Sequence, residues 1–186
     1  MVKKYTWTVD VDGGDFGGRT NSSLGIRYGL PKILEIFRDR GIKALFFIST
    51  ELLKFHQSDL EQIVREGHEI GSHGHFHIDY KNDRRAKDDM EISRLLIQKL
   101  SGKEYPHYRS PHFSYQTEDI YSDPFNHVSL LKYTWFNQSI PKSPIFYIHP
   151  FDIVYADNAP NLYCQILYSR PKEVLKNFRK LTENFK

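Results

Sequence analysis

The sequence is short of the residues that would cross-link it, carry it through a membrane or give it a strong charge. It has one cysteine, Cys164, so an internal disulfide is impossible; the count fits a reducing compartment and argues against thiol chemistry. Nowhere do about 18 consecutive apolar residues occur, so no transmembrane helix is expected. The opening Met-Val-Lys-Lys-Tyr-Thr-Trp carries no apolar run of signal-peptide length, which makes the cytoplasm the default expectation. The net charge is only +3 and the basic residues are scattered among acidic ones; no basic stripe marks a nucleic-acid binder, although a weak attraction to anionic substrates is compatible. Repeats, low-complexity tracts and linkers are also missing, so residues 1–186 are read as one domain. What is present is a globular composition, 39% hydrophobic and 26% charged, with 15% aromatic residues that suit a packed core or sugar-stacking faces.

Short apolar runs alternate with amphipathic stretches. Tyr5 to Val11 reads as a strand delivering carboxylates to the loop Asp-Val-Asp-Gly-Gly-Asp. Pro31 at a first helical position, the apolar face Ile33, Leu34 and Phe37, and Gly41 as a stop predict a helix over 31–40. Ala44 to Ile48 has no polar alternation, as in a strand buried on both faces of a parallel sheet. Ser58 and Glu61 stand in capping-box spacing for a second helix closed by Gly67, before a strand over His68 to Ser72. A polar helix is expected over 83–101, strands near Tyr108, at Leu130 to Trp135 and at Ile145 to His149, and a last helix from Lys172. The β-α order implies a parallel sheet or barrel, in which residues after the strands converge on one edge. Asp10, Asp12, His73, Arg109 and His149 all take such positions.

His73 and His77, four apart in Gly-Ser-His-Gly-His-Phe-His, would share one face of a helical turn and could ligate a divalent ion, with Asp12 supplying oxygen. Such a donor set suits Zn2+, with Co2+, Mn2+ or Fe2+ as alternatives. A hydrogen-bonded histidine cluster has the same spacing, and the alternation His75-Phe76-His77 allows a different pair of ligands on one strand. Asp10 and Asp12 project to one side of the first strand; one can bind a metal and the other act as a base, or both can cap the turn before Gly13-Gly14. Asp15 is read as a loop residue.

An ordered series of segments covering residues 5 to about 155 resembles the NodB-like polysaccharide deacetylases of carbohydrate esterase family 4. Thr8-Val9-Asp10-Val11-Asp12-Gly13 is similar to the family's first motif, and Gly67 to His77 to the second, which supplies two histidine ligands. The intervening Leu30 to Leu34 and Gly41 to Ile48 look like family framework, and Tyr108-Arg109-Ser110-Pro111 and Phe146-Tyr147-Ile148-His149-Pro150 are similar to the third and last motifs. The resemblance implies an α/β fold, a single-domain distorted (β/α) barrel of seven strands, somewhat truncated. It also implies metal ligands Asp12, His73 and His77, the base Asp10, Arg109 positioning that base, the backbone amide of His112 at the oxyanion and His149 as general acid. Three departures stand out: Val11 separates the two aspartates, Gly74 replaces the hydroxyl residue that commonly follows the first histidine, and His112 replaces a common tyrosine. The remaining tryptophan and aspartate motif has only Trp135 and Asp123 as candidates. Without the resemblance, Arg109 reads as a surface cation and His149 as a packed strand end. His56, His68, His107 and His127 read as structural or solvated, and Glu69 is unassigned.

The implied activity is metal-dependent hydrolysis of the N-acyl group of an amino sugar, with Asp10 taking a proton from water and His149 protonating the leaving amine. A nucleotide-linked or lipid-linked sugar is the expected substrate rather than a finished wall polymer. The alternatives are another metal-dependent amidohydrolase or a phosphoesterase built on His75 and His77, and a catalytically inactive carbohydrate-binding domain. The sequence is silent on oligomeric state.

Overall fold

The computed structural model of the protein describes residues 5–12, 24–79, 81, 84–104, 107–114, 127–136, 139–154 and 171–185. Five strands, β1 (Trp7–Val11), β2 (Leu45–Ile48), β3 (Glu69–Ser72), β4 (His127–Ser129) and β5 (Ile145–Ile148), form one sheet in the order β3-β2-β1-β5-β4. Every pairing is parallel. A single parallel bridge from Ser72 to Tyr108 lays the next segment beside β3. The helices are α1 (Leu30–Arg40), α2 (Leu53–Arg65), α3 (Ala86–Ser101), α4 (Leu130–Phe136) and α5 (Pro171–Asn184). The α/β class and parallel sheet agree with expectation. Among the described residues, however, the sheet is open and has five strands rather than the seven of a closed barrel, and the Tyr108 segment contributes one bridge instead of a strand.

The two faces of the sheet differ in chemistry. Trp7, Val9, Val11, Phe46, Ile48, Phe146 and Ile148 point to one face and pack with Ile33, Leu34 and Phe37 of α1 and Val174, Phe178 and Leu181 of α5. Trp7 stacks on Phe146 at 4.6 Å, and its indole N–H donates to the Phe185 carbonyl at 2.6 Å. The opposite face begins with the apolar group Tyr5, Leu45, Phe47 and Ile145, then turns polar at Thr8 and Asp10, which are buried. This change of polarity along one face marks the edge where the strands end. Because all strands run the same way, Asp12, Ser49, His73 and His149 follow β1, β2, β3 and β5 at that edge.

Three elements depart from expectation. Leu130 to Trp135, rich in β-prone residues, is helix α4, and the strand is the preceding His127–Ser129. Tertiary packing overrides propensity: Leu130 and Leu131 enter the core, the Thr134 hydroxyl donates to the Leu130 carbonyl at 2.9 Å, and Asn177 of α5 donates to Thr134 at 3.1 Å. Ser58 does not open α2, which starts at Leu53 directly from a 3-10 turn over Thr50–Leu52; the helix is broken at His56 (φ −133°), two residues before Ser58. Finally, a π-helical turn, Gly25–Gly29, precedes α1. Gly29 packs so closely under the Pro150 carbonyl that a Cβ there would collide with it. No helix among the described residues is long and apolar enough to cross a membrane.

Candidate active site

Asp12, His73 and His77 come together at the sheet edge, each offering a ligand atom within 4.8 Å of the others. His77 Nε2 lies 3.3 Å from Asp12 Oδ2. His73 Nδ1 is 2.8 Å from the Arg109 carbonyl, which can only accept; Nδ1 therefore carries the proton and Nε2 keeps its lone pair. Burial holds the His73 pKa down at about 4, outweighing the opposing pull of Asp10, so the ring is neutral at physiological pH. Asp12 resists its own desolvation and stays below the usual carboxylate range through its hydrogen bond to His77 and the neighbouring His149 and His73. Its Oδ1 is buried without a hydrogen-bond partner among the described residues. A neutral imidazole with a free Nε2, a second imidazole and an ionised carboxylate with an orphaned oxygen form a donor set that fits a divalent ion such as zinc.

The four-residue spacing works by a different route from the one expected. Residues 73–77 form a loop and not a helical turn, with left-handed backbone at Gly74 (φ +79°) and His77 (φ +52°). Glycine adopts that conformation without strain, which accounts for its place after His73. His75 turns away: its Nδ1 pairs with the Thr50 hydroxyl at 2.9 Å, and it is outside the group of three ligands.

Beside this group lies a buried charge pair. Arg109 is fully buried on the polar face of the sheet, its guanidinium 4.3 Å from the centre of the Phe47 ring. Nη1 donates to Asp10 Oδ1 at 2.5 Å and to Thr8 Oγ1 at 3.0 Å; the Thr8 hydroxyl spends its own proton on the Phe146 carbonyl. Nη2 donates to His127 Nε2 at 2.8 Å, which obliges that nitrogen to be unprotonated. Burial alone would raise the Asp10 pKa, but Arg109, helped by His73 and His149, holds it below the usual range.

His149 ends β5 as the N-cap of a 3-10 turn over Pro150–Ile153. Asp152 Oδ2 accepts from its backbone N–H at 2.8 Å and lies 3.3 Å from Nδ1, which leaves Nε2 as the outward nitrogen. Burial pulls the His149 pKa down, but the Asp152 carboxylate, followed by Asp12 and Asp10, outweighs it and lifts the ring to about 9. His112, in left-handed backbone (φ +55°), places its ring 4.9 Å from that of His77.

All seven predicted site residues therefore have places at this edge or on the adjoining face, and residues passed over in the sequence support them. His127, read as structural or solvated, is buried against Arg109; nothing in its sequence surroundings announces this. Asp152 was signalled only by its capping spacing after His149. His68 is a core residue: it lies between Phe37 and Phe46 and its Nδ1 accepts the Ala44 N–H. Trp135 lies on α4 against the main core, and Asp123 is outside the described residues.

The sequence profile of the family described as Polysaccharide deacetylase matches residues 21–122. The chain belongs to the polysaccharide deacetylase family. That match contains His73, His77, Arg109 and His112, while Asp10, Asp12 and His149 lie beyond it and join them through the β1·β5 pairing. A peptidoglycan deacetylase of Helicobacter pylori is 28% identical over 116 residues, 55% of this chain and 40% of that protein. The chain thus spans less than half of that relative. Among solved structures, a mutant of peptidoglycan deacetylase PdaC from Bacillus subtilis aligns with a TM-score of 0.63 at 15% identity, covering 97% of this chain and 84% of that one. A pseudoenzyme of carbohydrate esterase family 4 from Bacillus anthracis aligns with a TM-score of 0.58 at 19% identity, covering 91% and 60%. At these identities the structural likeness establishes the deacetylase fold.

Proposed function

We propose that this polysaccharide deacetylase family member is a divalent-metal-dependent hydrolase that removes an N-acyl group, most simply N-acetyl, from an amino sugar of a saccharide or saccharide precursor. The observation that carries the reading is the placing of two opposite pairs at one edge: the Asp10 carboxylate bonded to Arg109 and the His149 ring beside Asp152, next to the group Asp12, His73 and His77, with the Asp10 pKa lowered by Arg109 and that of His149 raised by Asp152. Those three residues would hold the ion, which supplies Lewis-acid polarisation of a carbonyl and a lowered water pKa. Asp10 accepts a proton from the attacking water as its oxygen adds to the amide carbon, while Arg109 fixes the carboxylate. The His112 amide is assigned to the negative oxygen of the tetrahedral species. His149 then passes its proton to the leaving nitrogen as the C–N bond breaks, giving a free amine and a carboxylate.

The test combines metal analysis with amine release. Purified protein should carry about one zinc or cobalt per chain, release amine from N-acetylglucosamine oligomers only with metal present, and lose metal in Asp12→Ala, His73→Ala and His77→Ala. Metal retention by all three variants, with loss in His75→Ala, would refute the ligand assignment. Saccharide binding without metal-dependent turnover would instead place the chain with inactive relatives such as the Bacillus anthracis pseudoenzyme.

A further inference from the structure

The loop between His73 and His77 lacks the side-chain hydroxyl that commonly follows the first histidine in this family, because Gly74 stands there. An irregular loop carrying two ligands still needs its backbone groups satisfied and its second imidazole held in place. The neighbouring elements meet that need from two sides. From the β2 side, the Thr50 and Glu51 amides donate to the Gly74 and His75 carbonyls at 3.0 and 3.1 Å. From the other side, α3 presents Asp89, which is buried: its Oδ2 accepts the His75 N–H at 2.6 Å and its Oδ1 accepts the Phe76 N–H at 3.0 Å. One turn further along α3, the buried Ser93 hydroxyl donates to the Gly74 carbonyl at 3.1 Å and lies 2.7 Å from Ser72 Oγ, which in turn accepts the Gly74 N–H at 3.2 Å.

We propose that Asp89 and Ser93 are positioning residues for the metal centre, which clamp the His73–His77 loop from α3 and so aim His77, in place of a hydroxyl next to His73. The inference rests on Asp12, His73 and His77 holding a metal. The clamp fixes the amides of the two residues directly before His77, and so bears on a ligand whose left-handed backbone (φ +52°) a free loop would abandon. A carboxyl group is required at position 89, because it must accept two N–H donors on two oxygens. An asparagine has one acceptor oxygen and would turn its NH2 toward one of the donors.

The test measures metal affinity on the full chain by competition with a chromophoric chelator, for Zn2+ and Co2+, together with the visible spectrum of the Co2+ form and the melting temperature of the metal-free protein. Asp89→Ala and Asp89→Asn should weaken binding about 10- to 100-fold, the cost of losing a group behind a ligand, and should change the Co2+ spectrum. Ser93→Ala should act in the same direction while removing a single hydroxyl, so it decides the matter if the Asp89 variants do not fold. A role confined to folding would lower the melting temperature and leave both affinity and spectrum as in the wild type. Wild-type affinity and spectrum in the folded variants would overturn the clamp alone. A wild-type chain that takes up neither ion would overturn the clamp together with the metal reading beneath it.

Discussion

At the scale of single residues, the site separates two histidines of the same motif set by what touches them. His73 is buried and tied through Nδ1 to a carbonyl, so it stays neutral; His149 is tied through Nδ1 to a carboxyl group and stays charged. The division of labour predicts two distinct failures. Asp10→Asn should keep metal and fold while turnover falls by at least about a hundredfold, as expected when a positioned proton acceptor is lost; near-normal turnover would remove Asp10 from that role. His149→Ala should slow N-acyl amides far more than an activated ester whose leaving group departs without a proton. Equal losses on both substrates, accompanied by a lowered melting temperature, would point to a structural histidine. The residues proposed as ligands, acid and base were legible as candidates because the chemistry proposed for them calls for these types at these spacings. The residues behind them were not: His127 touches Arg109, Asp89 two backbone N–H groups, and Ser93 the Gly74 carbonyl and the Ser72 hydroxyl, and a contact across 13 to 21 positions leaves no pattern in the sequence.

At the scale of elements, β2 and β5 were readable from continuous apolar runs and α1 from one apolar face ended by glycine, whereas β1 was read from its β-prone residues and β3 from its place after the stop at Gly67. Helix α4 was misread because Tyr133, Thr134 and Trp135 favour strands in isolation, whereas Leu130 and Leu131 are drawn into the core and Trp135, four residues after Leu131, packs against it one helical turn on. The spacing of Ser58 and Glu61 matched a helix start but lay beyond the break at His56, where α2 was already under way. The π-helical turn before α1 had no sequence signature at all, yet it sets a tight contact behind His149, the proposed general acid. Gly29 there has no room for a Cβ beneath the Pro150 carbonyl, and Pro150 follows His149. Gly29→Ala should therefore destabilise the protein by about 1–3 kcal/mol, the usual cost of overpacking, and reduce amide turnover even well below the melting temperature. An unchanged melting temperature and rate would show that this contact relaxes freely.

At the scale of the whole molecule, buried histidines shape stability against pH. In the metal-free protein His68 and His73 have pKa values near 4, each lowered chiefly by burial, against an ordinary value of 6.5. Between those values the unfolded chain binds about two protons that the native chain refuses, so stability falls as pH drops from 6.5 toward 4. His149 works in the opposite sense: raised to about 9, it contributes its full stability below 6.5 and loses it as pH rises through 9. The metal-free melting temperature should therefore peak near neutrality and decline on both sides, and a flat profile from pH 6.5 to 4.5 would contradict the neutral buried rings. The pairing of β1 with β5 bears on how the molecule is made. Thr8 and Phe146 are hydrogen-bonded across 138 positions, so the central strand β1, which bears Asp10 and leads into Asp12, gains its second neighbour β5 only after the largest loop closure in the sheet. Until then β1 has an open, apolar edge available to other chains. Refolding should show helical signal before any amine release, and crowded refolding should lose material to aggregation during that interval, because Asp10 and His149 become neighbours only when the sheet is finished.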